Sequence, residues 1–268
     1  MNHFALHWGL THVPDPARFC EDPREQFAAL LQLAPPVVSF TFGLLDAHTV
    51  TQFKRAGSLV IGTATTVAEA LAWEAVGADF ICAQGAEAGA HRGTFLGGFE
   101  ESCIGLIALI PQVAAAVKRP VIAAGGIMDG RGIAAALILG AQAAQLGTAF
   151  LGCPESGIPA VWKQKLREAR DDSTRLTRTF SGRHARGIVN EFMERMRAFE
   201  GDVPAYPIQN ALTGEIRQVA AKLERPEFMS LWAGQGVAMS RPLPAGELVR
   251  TLVEELQAIL PNLLRPRA

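Results

Sequence analysis

The stretch Pro120-Val121-Ile122-Ala123-Ala124-Gly125-Gly126-Ile127-Met128-Asp129-Gly130-Arg131-Gly132-Ile133-Ala134-Ala135-Ala136-Leu137-Ile138-Leu139-Gly140-Ala141-Gln142-Ala143-Ala144-Gln145-Leu146-Gly147-Thr148 decides the fold. A short apolar, β-branched run (Pro120–Ala124) enters a Gly-Gly turn. An Ala/Leu-rich helical stretch, Gly130–Leu139, follows and stops at Gly140, and a second short run, Ala144–Gly147, comes next. This order of elements is a βα unit followed by the next parallel strand.

The same order recurs from Pro36 to Leu151. Val37–Phe42, Leu59–Gly62 and Asp79–Ala83 read as further strands of a parallel sheet, buried on both faces. Ala47–Ala56, Val67–Val76 and Gly105–Val117 read as helices. Gly57, Gly77 and Gly140 stand where a helix end favours a left-handed residue. Repeats of roughly 20 to 40 residues, about one βα unit each, fit an α/β barrel or an open doubly wound sheet, and periodicity does not separate the two. After Gly152 the rhythm changes. One more helix, Ile158–Ala169, precedes a charged stretch, the segment Ser181–Gly187, further helices to near Leu260, and an end expected to fray. The chain thus divides into a core over residues 1–170 and a C-terminal helical extension over 171–268 that covers one face of it.

With 49% hydrophobic and 19% charged residues in 268, the composition is that of a globular chain able to bury one large core. A net charge of -1, with no Lys/Arg stripe, offers nothing to nucleic acid or an anionic membrane. Small molecules or further copies of the chain in a homo-oligomer are the expected partners. Cys20, Cys82, Cys103 and Cys153 form no CxxC pair, and no HxH or HExxH occurs, so neither a disulfide framework nor a metal site is expected. The opening Met1–Leu10 lacks a signal-peptide pattern, and no apolar stretch reaches membrane-spanning length, so a cytoplasmic location is expected.

Two turns can hold a phosphate. Gly125-Gly126 sits between a strand and a helix, where backbone N–H groups are unencumbered, and Gln145-Leu146-Gly147-Thr148 ends the next strand. Paired phosphate loops after the last two strands recur in (β/α)8 barrels; the alternative is that both turns only reverse the chain. The strand Asp79–Ala83 runs into a loop of about 20 residues, long enough to suggest function. His91 in this loop can accept a proton from a carbon acid or, protonated, steer an anion; otherwise it is a surface histidine. Gln84 at the strand tip offers an amide that donates and accepts, as a flavin ring edge requires. Glu87 and Arg92 read as loop-fixing residues, Glu100-Glu101 as a solvated helix start, and Cys82 as core packing.

Gln84-Gly85-Ala86-Glu87-Ala88-Gly89-Ala90-His91-Arg92-Gly93, Ala124-Gly125-Gly126-Ile127 and Gln145-Leu146-Gly147-Thr148 together resemble the nitronate monooxygenase family. Ser181–Gly187, Ala205–Asn210 and Leu231–Gly236 extend the similarity from about Val37 to the end of the chain. The resemblance implies an FMN-dependent oxidoreductase on a TIM-type (β/α)8 barrel. Gln84, Gly89, Gly126 and Gln145, Leu146, Gly147 and Thr148 match positions that bind FMN, with phosphate on the two Gly loops, and His91 matches the catalytic histidine. Such enzymes take an alkyl nitronate, or a nitroalkane that gives up its α-proton to the histidine. They consume O2, release a carbonyl compound and nitrite, and need no reduced nicotinamide. Two departures stand out. Nothing here matches the family's first two β/α units, which the resemblance leads one to expect are missing, with Asn2–His7 looking like the family's third strand, and Ala90 occupies a position that is usually Gly, a change tolerated if its φ is negative. A flavin-dependent enoyl-thioester reductase, which has a similar loop and uses reduced nicotinamide, is one competing reading. A truncated non-catalytic remnant is the other.

Overall fold

The computed structural model describes residues 18–263, so the expectations for Asn2–His7 and the final residues 264–268 lie outside the described residues. Helix α1 (Pro23–Leu33) starts at Asp22, whose carboxylate accepts from the Arg24 N–H, with proline in its first turn. Five parallel strands follow, β1 (Val37–Phe40), β2 (Leu59–Ala64), β3 (Phe80–Gln84), β5 (Val121–Ala124) and β6 (Ala143–Gln145). They pair in that order, with registers such as Val38 opposite Val60, Gly62 opposite Ile81, Cys82 opposite Ile122 and Ala123 opposite Ala144. Between them lie α2 (Ala47–Arg55), α3 (Val67–Ala75), α4 (Leu106–Ala116) and α5 (Gly130–Ile138). Gly57, Gly77 and Gly140 follow three of these helices with φ of 93°, 94° and 109°, values that a Cβ would strain.

The core explains why these residues become strands. Ile81 and Ala83 of β3 and Val121 of β5 are buried with Trp73, Leu109 and Val113 from α3 and α4, and each Ile, Leu or Val side chain among them contributes on the order of 1.5–3 kcal/mol by leaving water. The outer strands depart from the expectation of burial on both faces. Val37 and Ser39 of β1 and Ala143 and Gln145 of β6 are exposed, because each outer strand has a sheet neighbour on only one side among the described residues. Strand β1 also stops at Phe40 rather than Phe42, since Phe42 has a φ of 72° that leaves the extended ladder.

Beyond the short α6 (Thr148–Leu151) and α7 (Ala160–Glu168), two strands appear where the sequence showed only charge and glycine. Strands β7 (Thr174–Thr177) and β8 (Ala185–Ile188) pair antiparallel, and β8 also pairs with β4, the two residues Ala90–His91. This second sheet, in the order β4-β8-β7, places the C-terminal segment against the loop after β3. Helices α8 (Glu191–Met196), α9 (Ile208–Leu212) and α10 (Gly214–Lys222) follow, and Phe180, Phe192, Met193, Ile216, Phe228 and Leu231 bury together around them. The last helix, α11 (Ala245–Leu263), returns to α5, where the Gly130 N–H donates to Glu255. A Cβ on Gly130 would lie 2.4 Å from Glu255 Cβ, so glycine permits that approach. Among the described residues no helix is long and apolar enough to cross a membrane.

Candidate active site

The loop from Gly85 to Gly105 carries His91, and three charged side chains fix it, two of them buried and the third, Glu87, half-buried. Glu69, fully buried on α3, accepts the N–H groups of Thr65, Phe95 and Leu96. Arg92, also buried, donates to the carbonyls of Gln84, Gly85 and Ser102. The Glu87 carboxylate accepts from the Leu106 N–H at 2.9 Å, and so supplies the helix cap that Gly105 cannot. Glu87 and Arg92 are therefore loop-fixing residues. Glu100 and Glu101 lie in an exposed turn and not at the helix start, which falls five residues later.

A cavity of about 360 Å³ opens at the C-terminal ends of β3, β5 and β6, the size of a small-molecule site. Gln84, Gly89, Gly125, Gly126, Gln145, Gly147 and Thr148 all line it, with Trp162 and Trp232 from the C-terminal segment. Leu146 does not; its side chain packs into the cores beside α5 and α11. Gly125 and Gly126 have φ of 121° and 69°, and Gly147 has open space where a Cβ would stand. The N–H groups of Gly126, Gly147 and Thr148 donate to no acceptor among the described residues. Thr148 Oγ1 accepts from the Gly234 N–H at 2.9 Å and keeps its own proton to donate.

His91 lines an adjoining cavity of about 280 Å³ that shares Gln84, Gly89, Ala90, Ala124 and Gln145 with the first. Its ring lies among Phe42, Tyr206 and Trp232, with centroids 5.4, 5.9 and 5.4 Å away, and Nε2 is 2.8 Å from Ser181 Oγ. Burial, reinforced by the Arg183 and Arg217 cations, pushes the His91 pKa down to about 4, so the imidazole is neutral at physiological pH. The sequence alternative of a protonated, anion-steering histidine does not apply to this state; the nearby guanidinium groups carry that charge. Arg183 stacks over Phe42 at 4.5 Å and donates to the carbonyls of Arg92 and Thr94.

Both ends of the Gln84 amide are engaged within the loop. Oε1 accepts from the Gly93 N–H at 2.8 Å, and Nε2 donates to the His91 carbonyl at 3.1 Å, so Gln84 holds the histidine's backbone in place. Cys82 is buried with its thiol pushed up to about 12 by desolvation, which suits packing and not nucleophilic chemistry. Ala90 has a φ of 60°, so the negative φ that would make alanine free of strain here is not met, and its Cβ is carried in a left-handed conformation beside His91. Ser181, Tyr206, Trp232, Phe42 and Arg217 had no role assigned from sequence, since nothing local ties them to a histidine up to about 140 residues away in the chain.

The nitronate monooxygenase family model matches residues 17–255. The chain belongs to the nitronate monooxygenase family. It is 47% identical over 236 residues to a probable nitronate monooxygenase of Bacillus subtilis, covering 88% of this chain and 68% of that protein. A probable nitronate monooxygenase of Staphylococcus haemolyticus is 45% identical with the same coverages, so the chain spans about two thirds of the length of these relatives. A solved nitroalkane oxidase from Streptomyces ansochromogenes superposes with a TM-score of 0.91 at 46% identity, over 98% of this chain and 76% of that one. The protein is thus an α/β enzyme of the nitronate monooxygenase family, which has the TIM-barrel architecture and is flavin-dependent in general.

Proposed function

We propose that the protein binds FMN across the two βα turns and oxidises alkyl nitronates, and nitroalkanes that yield them, with O2 to carbonyl compounds and nitrite. The observation that carries this reading is the set of N–H groups at Gly126, Gly147 and Thr148 that have no acceptor among the described residues and open on a cavity sharing a wall with that of His91. Backbone donors without a side-chain barrier suit a phosphate, and no Cβ obstructs it at Gly125, Gly126 or Gly147. Gly89 completes the wall because a Cβ there would lie 2.5 Å from the Gly234 nitrogen. Bound FMN would supply the electron acceptor for the substrate and the means of using O2.

His91 is suited to the proton step. A neutral imidazole can accept the α-proton of a nitroalkane, and the aromatic walls of Phe42, Tyr206 and Trp232 exclude water from it. The cationic field of Arg183 and Arg217, which reinforces burial in keeping His91 neutral, also favours the nitronate anion over its neutral parent. The test is the visible spectrum of the purified protein, followed by assays of O2 uptake and nitrite release. Flavin bands near ~370 and ~450 nm, with nitronate consumed in the absence of reduced nicotinamide, are the expected result. A colourless protein, or turnover only with NAD(P)H, would overturn the reading.

A further inference from the structure

The contact between His91 Nε2 and Ser181 Oγ could share its proton in either direction, and a second contact of Ser181 resolves the choice. Ser181 Oγ lies 3.0 Å from the backbone carbonyl of Arg183. A carbonyl only accepts, so the single hydroxyl proton is committed to it. The Arg183 N–H approaches the same Oγ at 3.4 Å, and the oxygen therefore meets its remaining neighbours as an acceptor. His91 Nε2 must then carry the proton. A neutral imidazole has one N–H, which leaves Nδ1 with a free lone pair, and Nδ1 makes no hydrogen bond among the described residues.

The surroundings hold this arrangement still. Ser181 is 1% exposed, and Gly182 beside it has a φ of 80° and lies where a Cβ would meet the Pro204 carbonyl oxygen at 2.2 Å. The turn that presents the hydroxyl is thus packed from behind. Pairing of His91 with Ala185 across β4 and β8 ties the histidine backbone to the same segment.

We propose that Ser181 is a positioning residue that holds His91 in its Nε2–H tautomer and leaves Nδ1 as the atom that takes the substrate's proton. The second half of this statement rests on the nitroalkane reading above; the first half does not. In the step, the Cα–H bond of the nitroalkane breaks and its electron pair stays on the nitro-bearing carbon, giving the nitronate. An Nδ1–H bond forms, and Nε2–H goes on donating to Ser181, whose acceptor oxygen also favours the imidazolium.

Long-range 1H–15N correlation spectra of the full flavin-loaded chain, labelled at histidine, read the tautomer directly at neutral pH. His91 should show a protonated Nε2 and an unprotonated Nδ1; the reverse pattern would overturn the proposal. In Ser181→Ala both tautomers should be populated. Its kcat on a neutral nitroalkane should fall about tenfold or more with little change in KM, while turnover of the preformed nitronate stays within about twofold, since that substrate needs no base. Equal losses on the two substrates would overturn the positioning role. Absence of turnover on either substrate in the unmodified protein would refute the nitroalkane reading alone, and the spectra would still decide the tautomer.

Discussion

Replacing Ala90 by glycine should stabilise the protein. Ala90 sits at φ 60° immediately before His91, in a region where an L-residue with a Cβ costs about 1–2 kcal/mol. Glycine removes that cost but brings more freedom to the unfolded chain, a penalty of about 0.5–1 kcal/mol. The difference leaves Ala90→Gly more stable by about 0.5–1 kcal/mol. For a domain of this size, that raises the unfolding midpoint by about 1–4 °C. Thermal unfolding of flavin-free protein is the assay, because a bound ligand would add its own stabilisation. Ala88, buried two residues earlier and outside the left-handed region, is the control: Ala88→Gly should lower the midpoint. If Ala90→Gly lowers it by as much as the control does, the strain ascribed to residue 90 is absent and the reasoning fails.

Three further outcomes are expected. Gly126→Val places a β-branched side chain at φ 69° with its Cβ 3.0 Å from Glu87 Cβ, so the variant should purify without FMN; full flavin occupancy would disprove the phosphate placement. His91→Asn should keep its flavin and lose activity on neutral nitroalkanes by about 100-fold or more, and unchanged rates would remove His91 from the proton step. Stability should also depend on His91 titration: an unfolded histidine titrates near 6.5 and the folded one at about 4, so the unfolded chain binds the extra proton in between. Stability is therefore full above about pH 6.5 and declines towards pH 4, with His184, also lowered by burial, acting in the same direction. The wild type should lose its unfolding midpoint more steeply over that window than His91→Asn does, and parallel curves would contradict the buried neutral histidine.

The parallel sheet was legible because its strands and helices each follow one local rule. Val121–Ala124 and Leu59–Ala64 are apolar runs, and glycine marks three helix ends at the positive φ those ends require. Strand β8 escaped because Ala-Arg-Gly-Ile neither alternates nor lacks charge, yet all four residues are buried. Arg186 satisfies its guanidinium on the Ala86 carbonyl, a partner 100 residues away. Strand β4 is too short to have any period. The Gly turns and His91 could be picked out from sequence, whereas the engagement of Gln84 with the loop backbone, the Ser181 contact and the aromatic walls depend on the second sheet, which no local pattern announces.

The pairing of β4 with β8 has a consequence for how the protein is made. Residues 37–145 contain the five strands of the parallel sheet among the described residues and leave the ribosome before the segment that carries β7 and β8, so the cavity's glycine turns can form while that segment is still being synthesised. His91 belongs to that early part, but its hydroxyl partner and two of its three aromatic neighbours come from residues 181, 206 and 232. A nascent chain therefore holds the histidine without these three partners until residues 181–232 have emerged.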